Sequence, residues 1–110
     1  MRARHLRLGM LQRTKRRAAV LVSHHGWSRR NFICLDLLWM RESGWDHHAY
    51  NRFSGAYGIP QAVPGGRMRS AGRDWRTNPR TQVVWGIRYI EQRYGSPCRA
   101  WWHSRATGWY

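Results

Sequence analysis

The chain has 110 residues, enough for one domain with a single apolar core and too few for two. Twenty basic residues against five acidic ones give a formal net charge of +15, which indicates polyanionic partners: nucleic acid, anionic lipid or a bacterial wall. No run of about eighteen apolar residues occurs, so the sequence predicts no membrane-spanning helix.

The N-terminal residues 1–17 are strongly basic and contain few apolar anchors, which predicts a mobile arm ahead of a domain at 18–110. Basic residues 13–17 followed by apolar residues 18–22 imitate an export signal. The apolar stretch is too short and lacks a small-residue cleavage site, so no convincing signal peptide is predicted. Residues 18–25 are instead predicted to form two helical turns that end at Gly26.

Residues 32–40 are apolar at all but one position, which predicts a helix buried in the middle of the domain. Ser28 is suited to cap its N-terminus, and Gly44 is suited to end it. The helix therefore carries Glu42 in its last turn, next to a segment that is rich in glycine and proline.

Residues 51–66 predict a loop with a small hairpin, because glycine, proline and serine recur there. A further helix is predicted to start at Pro79, after a cap at Thr77 or Asn78, and to end at Gly95. A last short helix is predicted to open at residues 96–97. The predicted fold class is mainly α.

Cys34 and Cys98 are the two cysteines of the chain. An even pair allows one disulfide, and two buried thiols that pack as small apolar side chains are an equally good interpretation.

Five residues could supply a catalytic carboxylate: Asp36, Glu42, Asp46, Asp74 and Glu91. Structural roles are predicted for Asp36, facing outward or paired with an arginine, for Asp74 in a turn, and for Glu91 on a solvated face. Glu42 differs because a helix C-terminus and flanking tryptophans both raise the pKa of a carboxyl group. A glutamate with a raised pKa can protonate a glycosidic oxygen. A structural pair between Glu42 and Arg41 is an alternative of similar weight on physical grounds.

The residues around Glu42 resemble the signature of bacterial lytic transglycosylases. The matching residues are Arg41-Glu42-Ser43-Gly44-Trp45, Ala49, and Ser54-Gly55-Ala56-Tyr57-Gly58-Ile59-Pro60-Gln61. Residues 78–90 are similar to the helix that follows in that family, so the resemblance covers about residues 18–110. Several spaced motifs that agree in order are more specific than one glycine pattern.

This resemblance implies a lysozyme-like α+β fold and cleavage of the β-1,4 bond between N-acetylmuramic acid (MurNAc) and N-acetylglucosamine (GlcNAc) in peptidoglycan. It implies that Glu42 acts first as acid and then as base, and that the product carries a 1,6-anhydro ring. It assigns cleft positions to Ser43 and Gln61.

The implied substrate contacts extend to the loop, where Gly55, Ala56 and Gly58 would allow close approach of a sugar. Trp45 and Tyr57 offer flat faces for sugar rings or, almost as readily, core packing. Near the C-terminus the chain departs from the family pattern, and His103 and Tyr110 are the candidates for the missing contact.

Several alternatives remain open. Lysozyme-type hydrolysis would need a second carboxylate, for which Asp46 is the near candidate. A non-catalytic wall-binding or nucleic-acid-binding protein would also explain the charge, although no specific nucleic-acid motif is recognised. Adjacent histidines such as His47 and His48 point apart on regular elements, so no metal ligands and no cofactor are predicted.

The resemblance implies peptidoglycan strands as the partner, with anionic wall polymers bound by the basic surface. The implied location is extracytoplasmic or secreted, with delivery by a phage particle as the alternative.

Overall fold

The computed structural model describes residues 2–110, in which helices predominate. Four α-helices and one 3-10 helix occur in this range: α1 (Arg2–His24), α2 (Arg29–Ser43), the 3-10 helix (Gly65–Ala71), α3 (Pro79–Tyr94) and α4 (Pro97–Thr107). Two isolated antiparallel bridges, Tyr50 to Tyr57 and Tyr57 to Ala62, are the β-structure of this range. The mainly α prediction is therefore confirmed.

Helix α2 ends as its sequence predicts. Gly44 adopts the left-handed conformation with φ 63°, and its N–H donates to the Met40 carbonyl at 3.0 Å. One face of α2 buries Leu35, Leu38 and Trp39 completely. The expectation of burial on every side is wrong, because the residues of the opposite face lie about half exposed at the surface: Ile33, Leu37 and Met40.

Helix α1 is much longer than the two turns predicted for residues 18–25. It crosses residue 17 without a break, and Thr14, Ala18 and Val22 are buried at intervals of four residues along one face. Lys15 forms an ion pair with Asp36 of α2 at 3.1 Å. Most of the predicted basic arm is therefore helical, and part of it packs on the domain; Met1 lies outside the described residues.

The start of α3 follows its sequence signals closely. Asn78 caps the helix by accepting the Arg80 N–H at 3.0 Å, and Pro79 is the first helical residue. Gly95 ends the helix, as predicted. Gly86 allows close packing, because a Cβ atom there would lie 2.5 Å from the Trp39 ring.

Cys34 of α2 and Cys98 of α4 form a disulfide, which decides between the two interpretations of the cysteines. The bond joins residues 64 positions apart in the sequence. Next to it, Asn31 Oδ1 accepts the Cys98 N–H at 3.2 Å, so the first turn of α4 is held against α2 by a covalent and a hydrogen bond.

The core has two parts. The larger cluster lies between α1, α2, α3 and α4 and includes Leu35, Trp39, Val83, Ile87 and Ala100. The smaller cluster lies under the loop and consists of Ala62, Met68, Trp75 and Trp85. None of the helices within residues 2–110 combines the length and the apolar character that a membrane span requires.

Candidate active site

Glu42 lies in the last turn of α2, where the helix meets the long segment between α2 and α3. Its half-buried side chain lines an open groove of about 530 Å³. The other residues that line this groove are Ser43, Ala49, Tyr50, Asn51, Arg52, Phe53 and Gln61. Glu42 therefore shares one open groove with residues of the loop that follows α2.

Burial controls the electrostatics of Glu42. It raises the pKa of this carboxyl group above its usual value of 4.5, and the smaller opposing effect is the positive charge of Arg41. Two ion pairs occur among the described side chains of residues 4–110, Lys15 with Asp36 and His25 with Glu91, and Glu42 is in neither. The alternative of a structural Glu42–Arg41 pair is therefore not what this structure contains.

Ser43 connects the end of α2 to the loop. Its Oγ donates to the Ile59 carbonyl at 2.7 Å and lies 3.3 Å from the Trp39 carbonyl. The hydroxyl is thus engaged with the backbone, and the residue shapes the groove in which the resemblance places it.

Gln61 also lines the groove. It is one of two non-glycine residues among 2–110 with positive φ, at 54°. Its Nε2 donates to the Gly58 carbonyl at 2.9 Å and to the Ala49 carbonyl at 3.2 Å. These bonds close the loop on itself and fix Gln61 in the lining of the groove.

Gln82 of α3 holds the loop through hydrogen bonds to its backbone, a role that was not predicted from the sequence. This fully buried amide accepts the Ile59 N–H at 2.9 Å through Oε1. Its Nε2 donates to the carbonyls of His47 at 2.9 Å and Trp75 at 2.8 Å. A Cβ atom at Gly58 would lie 2.5 Å from Gln82 Oε1, so this glycine provides room for the amide rather than for a sugar.

The structure does not bring the other predicted sugar contacts to the groove of Glu42. Trp45 is buried against Trp39, and its Nε1 donates to Asp36 Oδ1 at 2.9 Å. The Tyr57 ring packs edge-to-face against Trp75, and its hydroxyl donates a hydrogen bond to the Arg76 carbonyl at 2.7 Å. Both aromatic rings therefore pack in the structure, which was the alternative given for them.

The loop positions of the resemblance shape the backbone. Gly55 has φ 78° and its N–H donates to the Asn51 carbonyl at 2.8 Å, which closes a tight turn. Ala56 is buried. Neither residue is part of the groove lining given above.

Four groove residues lie outside both the predicted site residues and the motifs that carry the resemblance: Tyr50, Asn51, Arg52 and Phe53. Phe53 is 100% exposed and Tyr50 is 62% exposed, so both aromatic rings are accessible from solvent. Asn51 Oδ1 accepts the N–H groups of Phe53 and Ser54 and so folds this turn. Tyr50 and Phe53, two aromatic residues at the start of a polar loop, were the sequence feature from which this part of the groove could have been predicted.

The two C-terminal candidates do not line the groove. Tyr110 donates its hydroxyl to the Pro60 carbonyl at 2.8 Å and accepts the Trp39 Nε1–H at 3.0 Å. Burial raises the pKa of this hydroxyl well above its usual range. His103 packs against Tyr94 and Trp109. Tyr110 therefore holds the loop at Pro60, the neighbour of Gln61, without lining the groove itself.

Asp46, the candidate second carboxylate, lies beside a different groove. This second groove, of about 610 Å³, runs between the first half of α1 and the turn after α2. His47 and His48 also line it, and their ring centroids are 3.9 Å apart. The two imidazole rings lie close together rather than pointing apart as predicted, because this turn is not a regular element. Burial and the neighbouring His48 lower the pKa of His47.

The remaining carboxylates have structural partners. Asp74 accepts hydrogen bonds from Thr81 Oγ1 at 2.7 Å and Asn78 Nδ2 at 2.8 Å, which lower its pKa and confirm its predicted role in a turn. Asp36 pairs with a lysine, Lys15, rather than with an arginine.

No protein-family model, curated protein or solved structure matches the chain.

Proposed function

We propose that the protein cleaves the glycan strands of bacterial peptidoglycan between MurNAc and GlcNAc, as a lytic transglycosylase does. The observation that carries the proposal is the half-buried Glu42 at the edge of an open groove, with its pKa raised by burial. The motifs around Glu42 and Gln61, which resemble those of lytic transglycosylases, support the same reaction.

Glu42 supplies both proton transfers of the reaction. Its neutral carboxyl group protonates the glycosidic oxygen as the bond from that oxygen to C1 of MurNAc breaks. The resulting carboxylate then removes the proton of the MurNAc 6-hydroxyl, whose oxygen bonds to C1. The raised pKa of Glu42 favours the first step, because more of the group is protonated near neutral pH.

The distribution of carboxylates supports ring closure over hydrolysis by inversion. An inverting hydrolase needs a second carboxylate across the same cleft, about 6.5–9.5 Å from the acid. Among the described residues that line the groove of Glu42, no other carboxylate is present, and Asp46 lines the second groove. The 6-hydroxyl of the sugar itself then serves as the nucleophile.

The exposed aromatic residues of the groove suit a polysaccharide. Tyr50 and Phe53 offer flat apolar faces, against which the C–H faces of sugar rings pack. Arg52 offers a guanidinium group to the carboxylate groups of the peptidoglycan peptide stems. The net charge of +15 provides a general attraction to the anionic wall.

The reaction products test the proposal directly. Purified sacculi are incubated with the protein, and the released fragments are identified by mass spectrometry. Muropeptides that end in 1,6-anhydro-MurNAc are expected. Fragments with a free reducing end, heavier by one water, would identify a hydrolase instead, and the absence of any fragment would refute glycan cleavage.

Salt tests the role of charge in substrate binding. Sedimentation of the protein with sacculi should weaken as ionic strength rises, because exposed charges are screened beyond a Debye length of about 8 Å at 0.15 M salt. Binding that does not change with salt would contradict this role. The Cys34–Cys98 disulfide is compatible with action outside the cytoplasm, where peptidoglycan lies.

A further inference from the structure

The turn that follows α2 carries three metal-ligating side chains in succession. Gly44 and Trp45 both have positive φ, at 63° and 59°, so the chain reverses sharply as it leaves the helix. Asp46 Oδ1 then accepts the His48 N–H at 2.9 Å, which folds the carboxylate back over the turn. Asp46, His47 and His48 of this turn all line the second groove.

The three side chains converge. One ligand atom from each of Asp46, His47 and His48 can be chosen so that all lie within 4.8 Å of one another. The two imidazole rings are tilted by 36° with centroids 3.9 Å apart. Three nitrogen and oxygen ligands that bind Zn²⁺ tetrahedrally at about 2.0–2.2 Å lie about 3.3–3.6 Å from one another. Side-chain rotations that bring the ligand atoms closer by at most about 1.5 Å reach that spacing.

The turn is anchored without using the ligand atoms of the histidines. His47 contributes its backbone carbonyl to Gln82 Nε2, and His48 contributes its backbone N–H to Asp46. The buried Gln82 therefore holds the backbone of the turn in place, and His47 and His48 both line the second groove. A ligand set that is held in position before binding loses less conformational freedom when the ion enters.

We propose that Asp46, His47 and His48 bind one divalent transition-metal ion of the Zn²⁺ class. Two imidazoles and one carboxylate suit Zn²⁺, Co²⁺ or Ni²⁺ and are poor ligands for Ca²⁺ and Mg²⁺, which prefer oxygen. Three protein ligands leave a coordination position open toward the second groove. The site is separate from the groove of Glu42, and the proposal does not depend on glycan cleavage.

The charge of the protein provides a diagnostic feature. A net charge of +15, with Arg7 in the lining of the same groove, repels cations. Binding must therefore come from coordination rather than from general attraction. Salt screens that repulsion, so it should strengthen Zn²⁺ affinity slightly or leave it unchanged.

Calorimetric titration of the untagged protein with Zn²⁺ tests the site. One equivalent is expected to bind, and His47→Ala and His48→Ala should each weaken the affinity at least about tenfold. His24→Ala removes one of another adjacent histidine pair and serves as the matched control, with affinity unchanged. Equal affinity in wild type, His47→Ala and His48→Ala would overturn the proposal, as would equal losses in His24→Ala and His47→Ala.

Cobalt provides a second measurement that does not depend on affinity. Co²⁺ bound by these ligands should give visible absorption bands of low-symmetry coordination, which Asp46→Asn should weaken or shift. Circular dichroism verifies that Asp46→Asn stays folded. A spectrum identical to that of Co²⁺ in buffer at saturating protein would refute coordination.

Discussion

The helical frame and the loop between α2 and α3 are stabilised in different ways. The frame buries a continuous set of apolar side chains, including Leu35, Leu38 and Ile90, and is closed by a disulfide. The loop has a smaller apolar cluster and depends on polar contacts, above all those of Gln82. The frame carries Glu42, and the loop supplies most of the other residues that line its groove.

This difference indicates how each half should respond to mutation. Apolar burial is spread over many contacts, so the frame should lose stability as a whole when it is weakened. The loop is held by a few hydrogen bonds to buried groups, and the loss of one leaves buried polar groups without a hydrogen-bond partner. A change in the loop should therefore alter the groove before it unfolds the domain.

Removal of the disulfide should have the largest effect on stability. Cys34→Ser combined with Cys98→Ser releases a loop closed over 64 positions, which should lower the free energy of unfolding by about 4 kcal/mol. Urea denaturation of the oxidised wild type and the double variant measures this. A loss under about 1 kcal/mol would mean that apolar packing alone holds α4 in place.

Gln82→Met should have a slightly smaller effect, concentrated in the loop. It removes the three hydrogen bonds of a buried amide, those to Ile59, His47 and Trp75, and should cost about 3 kcal/mol. Amide hydrogen exchange at Ile59 should accelerate more than exchange in α2.

The matched control for this change is Gln92→Met, an exposed position on the same helix. It should alter the free energy of unfolding by less than about 0.5 kcal/mol. If the two variants behaved alike, the loop would not depend on Gln82.

Ser43→Ala should lower the free energy of unfolding by about 1 kcal/mol, because the Ile59 carbonyl loses its hydrogen bond from Oγ. Ser70→Ala, whose hydroxyl bonds locally at an exposed position, is the comparison. Thermal unfolding measures both variants. Equal effects would contradict a special role of Ser43 in joining α2 to the loop.

The pH dependence of stability should show the smallest effect. Burial raises the pKa of Glu42 in the folded state above 4.5, so the folded protein binds this proton more tightly than the unfolded chain does. The free energy of unfolding of wild type should therefore fall relative to that of Glu42→Gln as pH rises from about 4.5 through the higher pKa of the folded state. Denaturation at a series of pH values measures the difference, and a difference of opposite sign would indicate that Arg41 dominates.

Local signals made most of the frame predictable. Backbone preference predicts that Pro79 begins a helix and that Gly44 and Gly95 end one. Each does so in the structure. The start of α1 was missed because charge was given more weight than the high helix propensity of arginine, leucine and alanine. Glu42 could be singled out because its position depends on the end of one helix.

Long-range contacts made the loop unpredictable. Gln82 bonds to residues 23 and 35 positions away, and no local pattern encodes such pairing. Trp45 and Tyr57 could face either sugar or core, and hydrogen bonds to Asp36 and Arg76 turn them to the core. The convergence of His47 and His48 depends on an irregular turn that periodicity does not describe.

The most direct test of the central claim compares two conservative changes, Glu42→Gln and Glu91→Gln, in the release of soluble fragments from sacculi. Glu91 is the control because it is an exposed glutamate that pairs with His25 and does not line the groove of Glu42. Glu42→Gln should lose activity by at least about 100-fold while it stays folded, and Glu91→Gln should retain it. Unchanged release by Glu42→Gln would contradict the assignment of Glu42 as the proton donor.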